Sequence, residues 1–306
     1  MAGTLRTTVL LAGLTALFAG VGFVLGGRGG MLVALLVAAA TNLWAWWNSG
    51  AAVLRMHDAR PLGPAEAPEL FRLVQQLADR AGLPMPALYL LHEAQPNAFA
   101  TGRDPQHAAV AVTAGLLDQL TPEEVAGVVA HELAHIRNRD TLIMTVTACL
   151  GGAIGMLAQF GMVFGGSRDG RGNPVATLLA VLVAPFAAML VQMSISRSRE
   201  YEADRVGAAI AGGPQGLASA LLRLEDARHA LPNAAAEANP ATAHLFITNP
   251  LSRGGMDNLF STHPSTANRV RALLGTDSPA PVPPSRRPSG PWSRSTPPPA
   301  RRGPWG

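Results

Sequence analysis

His131-Glu132-Leu133-Ala134-His135 places two imidazoles four residues apart with a carboxylate between them. On a helix, positions i and i+4 lie on one face a turn apart, so both rings can reach a single metal ion. Glu132 sits about 100° round from His131. There it misses the metal, yet it can take a proton from an adjacent water and deliver it to a leaving amine. The competing interpretation is a surface helix carrying two solvated histidines, and the flanking sequence has to decide.

Thr121-Pro122-Glu123-Glu124 opens the helix, with Thr121 as N-cap, Pro122 at the first helical position and Glu124 closing a capping box. Val125, Val128, Val129, Leu133 and Ile136 recur at helical spacing and supply a buried stripe. The histidines are therefore half buried beside that stripe, where two close rings without a ligand are costly to leave unsatisfied. The metal reading is the stronger one.

Composition points to a membrane. Hydrophobic residues make up 48% of the 306 and charged residues only 14%, too apolar for an ordinary soluble enzyme. All basic residues are arginine. The net charge of +4 misleads, because Arg286, Arg287, Arg294, Arg301 and Arg302 follow Asp277 with no acid among them, and setting them aside turns +4 into −1. The basicity belongs to a tail, and no nucleic-acid-binding module is present. The lone Cys149 excludes an intrachain disulfide and a cysteine metal site, and it reads as a small core residue.

Four segments approach the roughly 20 apolar residues a bilayer requires. Thr7 to Gly27 and Met31 to Trp47 flank the turn Gly27-Arg28-Gly29-Gly30, and Trp44, Trp46 and Trp47 close this hairpin as an interfacial belt. Thr141 to Gly165 and Val175 to Ile195 form a second pair around the loop Gly166 to Asn173. The expected organisation is a transmembrane hairpin (1–50), a cytoplasmic domain with the metal helix (51–140), a second transmembrane hairpin (141–195), the domain's C-terminal part (196–276) and a disordered Pro/Arg-rich tail (277–306). Arg55, Arg60, Arg72, Arg80, Arg137, Arg139, Arg197 and Arg199 crowd the side that carries the metal motif, and Arg6 agrees. The other side has Arg28 with Arg168 and Arg171, offset by Asp169, so positive-inside counting puts the site in the cytoplasm. Between the hairpins, Pro68 to Ala81 reads as an amphipathic helix and Ala87 to Leu91, Ala98 to Thr101 and Ala108 to Thr113 as strands. Gly115 to Leu120 reads as a short helix, and the chain after the second hairpin reads as helical to about Leu274.

Two histidines leave a zinc ion short of protein ligands. Glu200 and Asp204, at i and i+4, crowd like charge on one helix face. A zinc ion resolves that conflict if Glu200 ligates it and Asp204 accepts the free N–H of a ligating histidine. A solvated acidic face neutralised by Arg197, Arg199 and Arg205 is an equal alternative on spacing alone.

His131-Glu132-x-x-His135, followed by Glu200-x-x-x-Asp204 after a hydrophobic hairpin, resembles the HtpX-type membrane metalloproteases, relatives of the CAAX prenyl endopeptidases. Asn97-Ala98-Phe99-Ala100-Thr101-Gly102 is similar to that family's strand ahead of the metal helix. Ser261-Thr262-His263-Pro264-Ser265 with Arg269 is similar to its C-terminal signature, and the resemblance runs from about Pro86 to Leu274. It implies one zinc per subunit on His131, His135 and Glu200, with Glu132 as base and Asp204 behind a ligand. It also implies an extended substrate beside the Asn97 strand, and substrate or oxyanion contacts at Asn97, His263 and Arg269. For Asn97 a turn role, and for His263 a helix-capping role near Pro264, remain as alternatives. His57, His92, His107, His229 and His244 read as surface or packing residues.

The expected protein is mostly α and integral to a bacterial cytoplasmic membrane. Four transmembrane helices in two hairpins accompany a helical gluzincin-type protease domain, with a small β-sheet next to the metal helix. The resemblance implies a zinc endopeptidase acting on polypeptides, membrane proteins above all, in quality control. The rivals are a processing protease for one lipidated substrate and a catalytically inactive scaffold; the sequence does not specify an oligomer.

Overall fold

The computed structural model describes residues 2–148, 197–251 and 264–275. His263, the tail 277–306 and all of the expected second hairpin beyond the helical residues 141–148 lie outside the described residues.

Helix α1 (Ala2–Met56) leaves helical geometry at Gly26 and Gly27, the latter with φ of 58°, a left-handed conformation that glycine adopts without a Cβ penalty. There the chain folds back on itself. A β carbon on Gly22 would lie 2.5 Å from the Ala34 Cβ and the Gly30 carbonyl oxygen, whereas a continuous helix would hold those residues about 18 and 12 Å away. The turn opens one residue earlier than expected. Its second arm bends by 41° between Thr41 and Leu43. Thr41 accounts for the bend, because its hydroxyl donates to the Val37 and Ala38 carbonyls at 2.9 and 3.0 Å, a back-bond that pulls a helix off straight. Among the described residues no single helix is long and apolar enough to cross a membrane; Gly26–Thr41 and Leu43–Met56 meet that requirement only as a bent pair. The helix also runs through to Met56, so the boundary expected at residue 50 falls inside it.

Strand β1 (Arg60–Pro61) follows, a two-residue edge that the sequence reading missed. Helix α2 (Pro68–Ala81) starts on a proline and stops on Gly82, whose φ of 68° lets its N–H reach back to Ala78 and Asp79. Strands β2 (Ala87–Leu91), β3 (Ala98–Gly102) and β4 (Ala108–Thr113) complete a mixed sheet of order β1-β2-β4-β3, with β2 parallel and β3 antiparallel to β4. Helices α3 (Ala114–Gln119), α4 (Pro122–Arg137), α5 (Arg197–Ala211), α6 (Gln215–Ala230), α7 (Ala234–Ala238) and α8 (Thr266–Leu274) make up the remaining described α-helices that have both ends defined. The stretch after α5 is less helical than expected: 3₁₀ turns occupy Pro240–Leu245, and Phe246 bridges antiparallel to Phe99 on the outer edge of β3.

Both faces of the sheet are covered, which is why β3 and β4 read as apolar runs rather than alternating strands. Leu88, Leu90, Ala98, Ala100, Val110 and Val112 pack toward α2 and α4 with Leu70, Val74, Val128 and Leu133. Leu91, Phe99, Ala109 and Ala111 pack on the other face against Val53 and Leu54 of α1, Ile143, Met144 and Phe246. Helix α4 is thereby enclosed from Gly127 to Ile136, with both halves of the expected capping box formed. Helix α5 lies directly against it. A β carbon on Gly207 would come within 2.9 Å of the His131 nitrogen and Cα, backbone atoms that cannot swing aside. Gly207→Ala should therefore force α5 off α4, costing about 1–3 kcal/mol and weakening zinc retention. Unchanged thermal unfolding and zinc affinity would show that the contact is not tight.

Candidate metal centre

Successive turns of α4 bring His131 and His135 to one side, their rings edge to face with centroids 4.8 Å apart. Helix α5 supplies Glu200 and Asp204 from the facing side, both buried. The Nε2 atoms of the two histidines stand 3.2 Å apart. Glu200 Oε1 lies 3.6 Å from Nε2 of His135 and Oε2 3.8 Å from Nε2 of His131. Bonds of about 2.0 Å at tetrahedral angles separate ligand atoms by about 3.3 Å, so the spacing suits zinc. Among the described residues this is the group of histidine and acidic side chains whose ligand atoms all fall within 4.8 Å of one another.

The far nitrogens fix the orientation of the rings. His131 Nδ1 is 2.9 Å from Asp204 Oδ1, and His135 Nδ1 is 3.3 Å from Asp140 Oδ2. Each Nδ1–H donates to a carboxylate, which leaves each Nε2 with a lone pair turned toward the same point. A proton or a metal ion shared between the two Nε2 atoms suits their separation of 3.2 Å. Glu132, Asp140, Glu200 and Asp204 are buried around the rings, with Arg269 against Asp204 and Arg199 against Asp140. Carboxyl groups gathered round two imidazoles are a donor set that suits a divalent cation.

Burial pushes the Glu132 carboxyl up to about 8, against a hydrogen bond from the Ala100 backbone on β3. Its Oε1 is buried with no hydrogen-bond partner among the described residues, and the raised pKa puts its proton exchange near neutral pH, as a proton shuttle needs. Burial pulls His131 down to about 4, with Asp204 opposing it. Burial works the same way on His135, but Asp140, Glu200 and Glu132 outweigh it and raise the group to about 9. Burial alone would raise Asp204 as well, yet the Arg269 guanidinium holds it well below the usual carboxylate range.

Arg269 is 1% exposed and chelates Asp204 through Nε and Nη2 at 2.8 and 2.7 Å, while its Nη1 donates to the Ile247 carbonyl at 2.7 Å. Arg269, for which a substrate contact is expected, is thus bonded to Asp204 and the Ile247 carbonyl behind His131. Asn97 is likewise committed within the chain: its amide donates to the Thr248 carbonyl at 3.0 Å and accepts from the Ala98 N–H. Ile247 N–H reaches the Ala98 carbonyl at 3.1 Å, so the edge of β3 beside Asn97, expected to receive substrate, is paired by the chain's own residues 246–248. His57 and His244 are buried packing residues, and His107 is exposed.

Asp140 is the functional residue that the sequence reading missed. The left-handed turn at Arg139 (φ 60°) brings the Asp140 N–H onto the His135 carbonyl at 3.0 Å and its carboxylate onto the His135 ring. The signal available was an acid five residues after the second histidine, just beyond the helix end.

The model of peptidase family M48 matches residues 64–277, which contain every residue of this centre. A crystal structure of S. mikatae Ste24p has a similar fold, with a TM-score of 0.50 and 18% identity over 88% of this chain. The chain spans 65% of that protein's length.

Glu200→Gln should weaken zinc binding severely, because a neutral amide is a poor ligand. Asp140→Asn and Asp204→Asn should each cost about 10–100-fold in affinity. Zinc titration against a competing chelator reads all three. Parent-like affinity in Glu200→Gln would remove it from the ligand set.

Proposed function

The chain belongs to peptidase family M48, and from that membership we propose that it is a membrane-seated, zinc-dependent endopeptidase. The observation that carries this reading is the convergence of His131, His135 and Glu200 on one point, with an unpartnered Glu132 oxygen buried next to it. When bound, zinc supplies the Lewis acidity that polarises a peptide carbonyl and activates water. The chain's own residues do the remainder. Glu132 takes the proton and returns it to the leaving nitrogen, and Asp204 and Asp140 keep both rings in one tautomer. Arg269 keeps Asp204 charged.

Nine large hydrophobic side chains between Phe23 and Trp47 are substantially exposed, which supports a membrane around α1. The arginine bias supports a cytoplasmic site. Damaged or misassembled membrane proteins are the substrates this reading takes from the resemblance to HtpX-type enzymes. An inactive scaffold would have no use for an aligned Glu132 and Glu200.

Purified full-length protein with Glu132→Gln should bind zinc at parent stoichiometry and lose cleavage of unfolded casein by about 10²–10⁴-fold. Substantial residual cleavage by that variant would mean that another group is the base. Zinc absent from the active parent would overturn the metalloprotease reading altogether.

A further inference from the structure

On the sheet face turned away from α4, a cavity of about 470 Å³ opens between α1 and the sheet, walled by Trp47, Leu54, Tyr89, Gly102 and Arg103. The Arg103 guanidinium lies 4.4 Å from the ring centroid of Trp47 and 6.0 Å from that of Trp46. Its side chain is only 16% exposed. Asp104 competes weakly for it. That carboxylate spends Oδ1 on the His107 N–H and Nδ1 at 2.8 and 2.7 Å, leaving Oδ2 at 3.5 Å from Arg103 Nε. No acceptor among the described residues hydrogen-bonds the two terminal nitrogens of Arg103. A mostly buried guanidinium, held over an aromatic ring with its terminal nitrogens open, is built for a phosphate or carboxylate.

Its position says which. From the turn at Gly27 to Trp47 the arm follows about 30 Å of helix, bent by 41° at its break after Thr41, and so comes close to the thickness of a bilayer's hydrocarbon core. Along it Leu32, Val33, Leu36, Val37, Leu43, Trp44 and Trp47 turn outward. The tryptophans end that apolar face, where interfacial aromatics sit, and Arg103 lies at their level, at headgroup depth. We propose that this cavity binds the headgroup of an anionic phospholipid, its phosphate meeting the terminal nitrogens of Arg103 and its acyl chains following the exposed Leu43–Trp47 face. The proposal rests on α1 being embedded in a membrane and is independent of the zinc chemistry. The site would anchor the sheet, and with it the metal centre behind it, at a fixed height above the bilayer.

The test uses full-length protein in non-ionic detergent, titrated separately with short-chain phosphatidylglycerol, short-chain phosphatidylcholine and inorganic phosphate, with thermal unfolding as readout. Phosphatidylglycerol should stabilise saturably at a concentration at least tenfold below phosphatidylcholine, with inorganic phosphate without effect. Arg103→Gln should weaken the phosphatidylglycerol response at least tenfold and erase the difference between the two lipids, at a zinc content that reports intact folding. Trp47→Leu, which keeps the helix apolar, should weaken it as well. Equal response to both lipids, parent-like lipid binding by both variants, or equal effectiveness of free phosphate would overturn the proposal. Carbonate extraction separates it from its premise: release of the chain from membranes removes the embedding of α1, whereas a retained chain indifferent to lipid charge removes the headgroup site alone.

Discussion

Two imidazoles whose Nε2 atoms face each other across 3.2 Å need a proton or a metal ion shared between them, and the surrounding structure is arranged around that condition. Asp204 and Asp140 fix the rings from behind. Arg269 makes a buried Asp204 tolerable, at a site where an uncompensated carboxylate would cost several kcal/mol. The absence of a β carbon at Gly207 lets α5 approach the His131 backbone closely enough for Glu200 to reach both rings. The acids gathered round the rings give the fold a reason to hold a divalent ion, and the Arg269 guanidinium on Asp204 explains how that carboxylate and Glu200 sit one turn apart.

The metal helix was legible because every local signal agreed. A capping box, a proline at the first helical position and an apolar stripe all pointed to one helix, and the two histidines fell on one of its faces. Glu200 and Asp204 were legible only as a pair with two meanings, since spacing cannot tell a facing helix from solvent. Asp140 and Arg269 were illegible in their actual roles. The first depends on a left-handed residue at Arg139, which sequence gives no reason to expect there. The second depends on α8 delivering a guanidinium to the back of α5, a tertiary contact between residues 65 positions apart. The pairing of residues 246–248 with β3 was hidden for the same reason, because Phe246 reads as one more apolar residue in a helical region.

The metal centre is also where the chain leaves and rejoins the described domain. Asp140 lies just before helical residues 141–148, and Arg199 stands at the start of α5 after the segment returns. Arg199 Nε lies 3.7 Å from Asp140 Oδ1, while the other oxygen of that carboxylate holds His135. One side chain thus joins the two ends of the 141–196 segment to a metal-ligand ring. The sheet connects the same centre to α1, through Ala100 on one face and Phe99 on the other.

X-ray absorption at the zinc edge on the purified, zinc-loaded full chain addresses the central claim most directly. The account predicts one tightly held zinc per chain, with two imidazole nitrogens at about 2.0–2.1 Å and carboxylate or water oxygens completing four ligands. A shell of three or more imidazoles, a sulfur ligand, or zinc bound without imidazole scattering would contradict it.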